Sequence, residues 1–330
     1  MPSVVIVVPS IREHYLTDFL TAWSNEFRPH HIIVVEDNPK RSFKIQQSNL
    51  THVSWHEIDL ALGEDAWIIP RRTDCVRSFG YILAHAMQPD MILTLDDDCF
   101  PNATDFIASH WAALQTGCFE GWSSTGTGAL PRGVPYLAQT RLAPAVLNHG
   151  LWTNVPDYDA ITQLSNIRTL MSFEPTQQTI PYGKYFPMCG MNISWRPVLT
   201  PALYFLLMGR GYKYDRFGDI WAGILAKRIA DHLGYAINSG APTVEHRRAS
   251  NVWANLVKEA PAMEANESLW QTIASTRLTS TTVSGCYQEL SAALDTHDEY
   301  WQTTSRAMTT WLRHVKSADA VLAAVQSSKP

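Results

Sequence analysis

The chain has 330 residues, 45% hydrophobic and 17% charged, with a formal net charge of −5. That length supports one large domain or two ordinary ones around a sizeable core, in a soluble globular protein. The acidic balance gives no basic footprint for nucleic acid, and no apolar run reaches the roughly 18 residues of a membrane helix.

The first run, SVVIVVPS (3–10), is continuously β-branched, as in a strand covered on both faces. No basic region precedes it, so no signal peptide is expected. Residues 14–26 read as a helix, HIIVVED (31–37) as a second buried strand and AWIIP (66–70) as a short third one. Thr73 is placed to cap a helix to about Met87, with Asp74 in its first turn. MILTL (91–95) is the next strand. Asn102 with Asp105 three residues later is a capping signal for a helix to about Leu114. Residues 117–185, rich in Gly, Pro and Thr, read as long ordered loops. FPMCGMNISW (186–195) reads as a buried strand, and Pro197 to Met208 and Asp219 to Leu233 as helices. From about residue 256 the chain is helical and amphipathic. Its tryptophans suit either a homo-oligomer interface or a cap on the core.

Alternating strands and helices imply an α/β, Rossmann-like, mostly parallel sheet with helices on both faces. Residues 1–255 are expected to form the catalytic domain, and 256–330 a C-terminal helical extension packed on it. The five cysteines (Cys75, Cys99, Cys118, Cys189 and Cys286) show no CxxC spacing. Neither a disulfide framework nor a zinc site is expected, and the compartment reads as reducing and cytoplasmic.

In such sheets ligands bind at the carboxyl ends of the strands. Ser10-Ile11-Arg12, Glu36-Asp37 and Asp96-Asp97-Asp98 all fall there. Two unit charges roughly 5 Å apart repel by about 3 kcal/mol at an effective dielectric of about 20, so three adjacent acids need an offsetting cation. On an extended backbone Asp96 and Asp98 share one side and Asp97 points away. Two hard oxygen ligands at the mouth of a sheet suit Mn²⁺ or Mg²⁺ holding a diphosphate, the pattern of a nucleotide-sugar-dependent transferase of the GT-A type. The bland reading is a charged turn that closes a strand.

Eight segments then occur in one order: VVPSIR (7–12), CVRSFGY (75–81), LTLDDDCF (93–100), RGVPY (132–136), HGLWTNVPDYDAITQL (149–164), FPMCGMNISW (186–195), GDIWAG (218–223) and EHRRASN (245–251). Together they resemble the reversibly glycosylated polypeptides, a family that includes the plant UDP-arabinopyranose mutases, over about residues 3–315. One departure is Gly218, where the family usually carries an acid; it bears on sugar specificity.

The resemblance implies a GT-A-like fold. It also implies a UDP-sugar mutase that interconverts pyranose and furanose forms through a reversible glycosyl-arginine on Arg132. The alternative is a self-glycosylating or acceptor-directed glycosyltransferase; a third reading is a non-enzymatic binding subunit. A protonated guanidinium is a poor nucleophile, so Asp157 or Asp159 is expected to orient Arg132 and take its proton. By the bland reading Arg132 is a phosphate clamp. Asp219 is expected to contact the sugar or act as a base. His246 is expected to join Asp96 and Asp98 around the metal, or else to be a surface histidine. Arg12, Asp37 and Arg77 are expected on the nucleotide, with Asp96 and Asp97. His149, Trp152, Asn154, Gly190 and Asn192 are expected around the sugar.

Overall fold

The computed structural model describes residues 2–45, 47–129, 131–135, 137, 139–165, 176–248, 250–295 and 298–327. Tyr136, Ala249 and the end of the C-terminal QSSKP, 328–330, lie outside them. In chain order the elements are β1 (Val4–Ser10), α1 (Glu13–Ala22), α2 (Ser24–Phe27), β2 (His31–Glu36), β3 (Leu50–Val53), α3 (Trp55–Leu62), α4 (Arg77–Ala86), β4 (Met91–Leu95), β5 (Cys99–Pro101) and α5 (Phe106–Ala113). They continue with β6 (Gly117–Glu120), β7 (Thr140–Ala143), β8 (Ala145–Asn154), α6 (Ala160–Ser165), β9 (Gln178–Thr179), β10 (Asn192–Trp195), α7 (Gly218–Leu233) and β11 (Ala236–His246). The last four helices are α8 (Val252–Ser275), α9 (Val283–Leu294), α10 (Glu299–Lys316) and α11 (Ala318–Ser327).

The central sheet runs β3-β2-β1-β4-β10-β8-β11-β5, with β9 pairing β11. It is parallel through its first four strands and mixed beyond them. β10 runs antiparallel between β4 and β8, while β8 and β11 are parallel. The β-branched runs account for the layers. Val5, Val7, Ile33, Val35 and Ile92 point into one apolar cluster, and Val4, Ile6, Val8, Ile32, Val34 and Leu93 into the other. Period-two alternation on strands buried on both faces gives a helix–sheet–helix sandwich. The first cluster also takes in Trp301, Met308, Trp311 and Val321 of the C-terminal helices. Trp311 is fully buried, stacks on Tyr204 at 5.3 Å and donates to the Pro201 carbonyl. Trp301 and Trp311 therefore cap the core. The expected boundary at 255/256 falls inside α8.

Several elements differ from expectation. AWIIP is not a strand: 63–68 is a 3-10 turn, and the third parallel strand is Leu50–Val53. Ser54 and Glu57 form a capping box that starts α3 immediately after it. Asn102 does not cap α5. It holds Thr153 and Thr243, while the first helical N–H, on Phe106, donates to Glu26 from another part of the chain. In the stretch 186–195 only Asn192–Trp195 is strand, and after Pro197 there is one 3-10 segment to Ala202 rather than a helix to Met208. The middle segment contains a ten-residue central strand, β8.

Gly80 sets the distance between α4 and the sheet. A Cβ there would lie 2.5 Å from Val7 Cγ1 and 2.9 Å from Val35 Cγ2. Alanine normally gains about 1 kcal/mol over glycine inside a helix. Gly80→Ala is nevertheless expected to destabilise by about 1–3 kcal/mol through overpacking, read as a lower denaturant midpoint with an unchanged slope.

Candidate functional site

Asp96, Asp97 and Asp98 do not continue β4. The Cys99 N–H returns to the Asp96 carbonyl at 3.1 Å, closing a turn between β4 and β5. On a turn the alternation rule no longer applies, and all three acids face one cleft. Asp97, expected to point away, is buried and accepts from Ser10 Oγ at 2.6 Å.

The protein offsets the crowding with its own groups. Arg77, the first residue of α4 and 2% exposed, reaches Asp96 at 2.5 Å. Arg248 approaches Asp98 at 3.1 Å, and His246 Nε2 lies 3.7 Å from it. The other His246 nitrogen bonds the Val155 carbonyl, which fixes the ring with Nε2 toward the acid. Burial and the neighbouring acids push Asp97 up to about 6, against the Ser10 bond. It is therefore partly protonated just below neutral pH.

The cleft crosses the carboxyl ends of β1, β2 and β4 and is lined by Arg12, Asp37, Arg72, Thr73, Asp74, Arg77, Gly190, Asp215, Lys258 and the three acids. A second lobe, walled by His149, Trp152, Tyr158 and Asp159, adjoins it. Asp157, Cys189, Arg216 and Asp219 line both lobes.

Within this cleft several residues serve other ends than expected. Arg77 is spent on protein acceptors. Besides Asp96 it donates to the Asp74 and Gly190 carbonyls and approaches Thr94 Oγ1, so it positions the acid turn and does not reach out to a phosphate. Asp37 accepts from Trp55 Nε1 and the Thr73 N–H, tying two walls together. Gly190 permits a close approach of protein to protein: a Cβ would lie 2.8 Å from the Phe205 ring and 3.3 Å from Asp219. His149 is buried and held by Ser239, with its pKa lowered to about 4 by burial, so it is neutral and accepts from the Cys189 N–H.

Three expected residues lie off the cleft. Asn192 is fully buried, its amide satisfied by His110, the Leu151 carbonyl and the Pro242 carbonyl. Both its N–H donors are used within the protein, and its burial keeps it from a sugar hydroxyl. Asn154 ends β8 at φ +71°, is exposed and turns the chain; asparagine tolerates that conformation. Arg132 is exposed in a turn within the segment between β6 and β7, and forms no hydrogen bond or ion pair with a described residue. The structure does not bring it to Asp157 or Asp159. Asp157 accepts from the Cys189 thiol at 2.5 Å, and Asp159 caps α6 through Thr162.

Sequence reading missed Arg72, Asp74, Asp215, Arg216 and Lys258. Arg216 sits at φ +61° and donates to the buried Glu259 of α8. Arg72 and Asp74 flank Thr73 just before α4, whereas long-range packing brings Asp215, Arg216 and Lys258 to the cleft. Gly218 has a steric explanation: a Cβ there would lie 2.3 Å from the Phe205 carbonyl and 2.8 Å from Cys75 Sγ, so no side chain fits.

A metal at the acid turn has suitable donors. Among the described residues no three His, Cys, Asp or Glu side chains form a ready-made cage. Asp96 and Asp98 supply two carboxylates, and the Asp96 side chain is about a third exposed to the cleft. One or two carboxylates completed by phosphates and water is the usual binding mode of Mg²⁺ and similar ions. The residues present therefore fit Mn²⁺ or Mg²⁺ held with a substrate.

Comparison with known proteins bears on this cleft. The model of the family "Reversibly glycosylated polypeptide" matches residues 2–320. The chain belongs to that family. It is 36% identical over 329 residues to "Probable UDP-arabinopyranose mutase 1" of Solanum tuberosum, covering 93% of this chain and 88% of the relative. It is 35% identical to "UDP-arabinopyranose mutase 1" of Arabidopsis thaliana, covering 93% and 90%. To the protein of that name in Oryza sativa subsp. japonica it is 33% identical, covering 98% and 93%. In this member of the reversibly glycosylated polypeptides no helix among the described residues is long and apolar enough to cross a membrane.

Asp219 yields a pH prediction. Both its oxygens accept backbone N–H groups, from Gly190 and Ile220. Burial, then the charge of Asp74, nonetheless raises its pKa to about 7. A carboxyl whose pKa is raised on folding holds its proton more tightly in the native state. Its contribution to stability is full below the unfolded value near 4 and is lost as pH rises toward 7. Urea unfolding at pH 5 and pH 8 should show the wild type losing stability relative to Asp219→Asn across that interval. Parallel pH profiles would contradict the assignment.

Proposed function

We propose that this protein is a UDP-sugar mutase of the UDP-arabinopyranose/UDP-arabinofuranose type, working through a reversible glycosyl-arginine on Arg132. One observation carries the reading. A two-lobed acidic cleft lies at the carboxyl ends of β1, β2 and β4, in a chain that matches proteins named UDP-arabinopyranose mutase over nearly its full length. The diphosphate lies by Arg12, Arg72 and Lys258, the cleft cations least committed to carboxylates: Arg12 and Arg72 sit over aromatic rings, and Lys258 is 4.0 Å from Asp215. The sugar occupies the second lobe against Trp152 and Tyr158, an aromatic wall suited to its apolar face.

Mn²⁺ or Mg²⁺, held by Asp96 and Asp98 with His246 alongside, supplies charge neutralisation for the departing diphosphate when bound. The chain's own residues do the rest. The C1–oxygen bond breaks with its electron pair leaving on UDP, and a guanidinium nitrogen bonds C1. The proton it loses goes to a carboxylate that lines both lobes. Asp157 is better placed for this than Asp159, which is committed to its helix. The nitrogen-bound sugar opens, closes through a different hydroxyl, and is recaptured by UDP.

The five cysteines are free thiols, which supports a reducing, cytoplasmic setting. The exposure of Arg132 away from the cleft favours, in one respect, the second reading: a transferase that glycosylates a protein acceptor without ring interconversion.

Incubation with UDP-arabinopyranose and Mn²⁺, with products resolved by chromatography, separates these readings. UDP-arabinofuranose is expected from the wild type. Arg132→Ala is expected to lose both turnover and sugar labelling of the protein. Turnover that survives in Arg132→Ala would sink the covalent scheme, and free UDP with glycosylated product alone would favour the second reading.

A further inference from the structure

The cleft and the arm that carries Arg132 are at opposite ends of the sheet. β8 runs from Ala145 at one end to Asn154, which pairs with His246 beside the acid turn, at the other. Nine residue steps at about 3.3 Å make that about 30 Å. The β6–β7 hairpin is anchored at the far end. Ala143 pairs with Gly117, and a Cβ on Gly117 would meet the Cβ of Ala236, the first residue of β11. A second ruler agrees. α7 carries Asp219 at the cleft and is capped, 15 residues or about 22 Å later, by Gly234, where an added Cβ would lie 3.7 Å from Arg141 Nη2.

With the hairpin intact, Arg132 is tethered to Thr140 by eight residues, about 27 Å when pulled straight. It sits in a turn at Gly133, φ +95°, which shortens that leg. Its own cleft is out of reach without stretching the leg flat along the sheet. Arg141, on β7 itself, is held at the far end outright.

We infer that the cleft is completed by the arm of a second copy of this chain. This rests on the glycosyl-arginine reading and deepens it: the nucleophile comes from the partner subunit. Charge supports the fit. Residues 121–143 hold two arginines and no Asp or Glu, whereas eight aspartates line the cleft against five arginines and one lysine. Apolar surface supports it too. Trp122, Leu137 and Leu142 of the arm are exposed, and so are Ile11 at the cleft and Trp253 and Val257 on α8 beside the cleft residue Lys258. Arm and cleft lie at opposite ends, so two copies side by side and antiparallel place each arm at the other's cleft. That arrangement is isologous and closes at two. In the step itself, the partner's guanidinium nitrogen bonds C1 as the C1–oxygen bond breaks toward UDP. The proton passes to Asp157 of the subunit that holds the nucleotide.

Two inactive variants test this: Asp96→Asn/Asp98→Asn, with a disabled cleft and intact arm, and Arg132→Ala/Arg141→Ala, with the reverse. Circular dichroism checks that each folds. Each alone should neither label nor turn over UDP-arabinopyranose. Co-expressed, they should recover about a quarter of wild-type turnover, the statistical share of competent clefts in a closed pair. The sugar should appear, by mass spectrometry, on the arm of the chain with the disabled cleft. A folded mixture that stays unlabelled while the wild type labels on its arm would place the reaction within one chain; the trans inference then fails and the glycosyl-arginine reading stands. Turnover by the arm variant alone would overturn that reading and the inference with it. A wild type that is active yet strictly monomeric by light scattering would overturn the inference alone.

Discussion

The pairing of Arg77 with Asp96 is the constraint on which the site depends. A guanidinium buried at the start of α4 joins four acceptors from three parts of the chain: the turn before its own helix, the β4 end and the loop entering β10. Removing the Asp96 charge leaves a buried guanidinium uncompensated, at about 3–5 kcal/mol. The contact thus fixes the acid turn relative to Gly190, whose N–H in turn holds Asp219. Through that chain of bonds one arginine orients the three acids and the opposite wall of the cleft.

Electrostatics then divides three adjacent aspartates into three kinds of group. Asp96 is held by Arg77 and still a third exposed, Asp98 is enclosed by Arg248 and His246, and Asp97 is buried against Ser10 with its pKa raised by burial. Even so, eight aspartates outnumber the cleft's six cations. A diphosphate entering such a site adds negative charge to an acidic surface. It binds well only if positive charge comes with it, and this is the physical reason for proposing a divalent ion between the two carboxylates and the substrate.

The scaffold was legible because its signals are local. β-branched runs marked β1, β2 and β4, and the termination of each by a polar residue placed Ser10, Asp37 and Asp96 on one edge. The acid turn escapes the alternation rule because β4 ends at Leu95, before the first acid. Asn192 looks like a sugar contact within a specific motif, but its amide closes a network with His110 of α5 and the Leu151 and Pro242 carbonyls, which only the folded chain brings together. Arg216 and Lys258 reach the cleft through packing of α8 against α6 and α7, which no local pattern announces. The largest gap concerns Arg132. Motif order places it in the family's sequence, whereas the topology hangs it from the far end of β8.

The acid-turn cleft is proposed to take a nucleotide diphosphate together with a divalent cation. Isothermal titration of UDP into the wild type and into Asp98→Asn, each with and without Mn²⁺, tests it most directly. Mn²⁺ is expected to tighten UDP binding to the wild type by at least about tenfold, or about 1.4 kcal/mol, and to leave binding to Asp98→Asn unchanged. Equal affinity with and without the ion, or an equal gain in the variant, would contradict it.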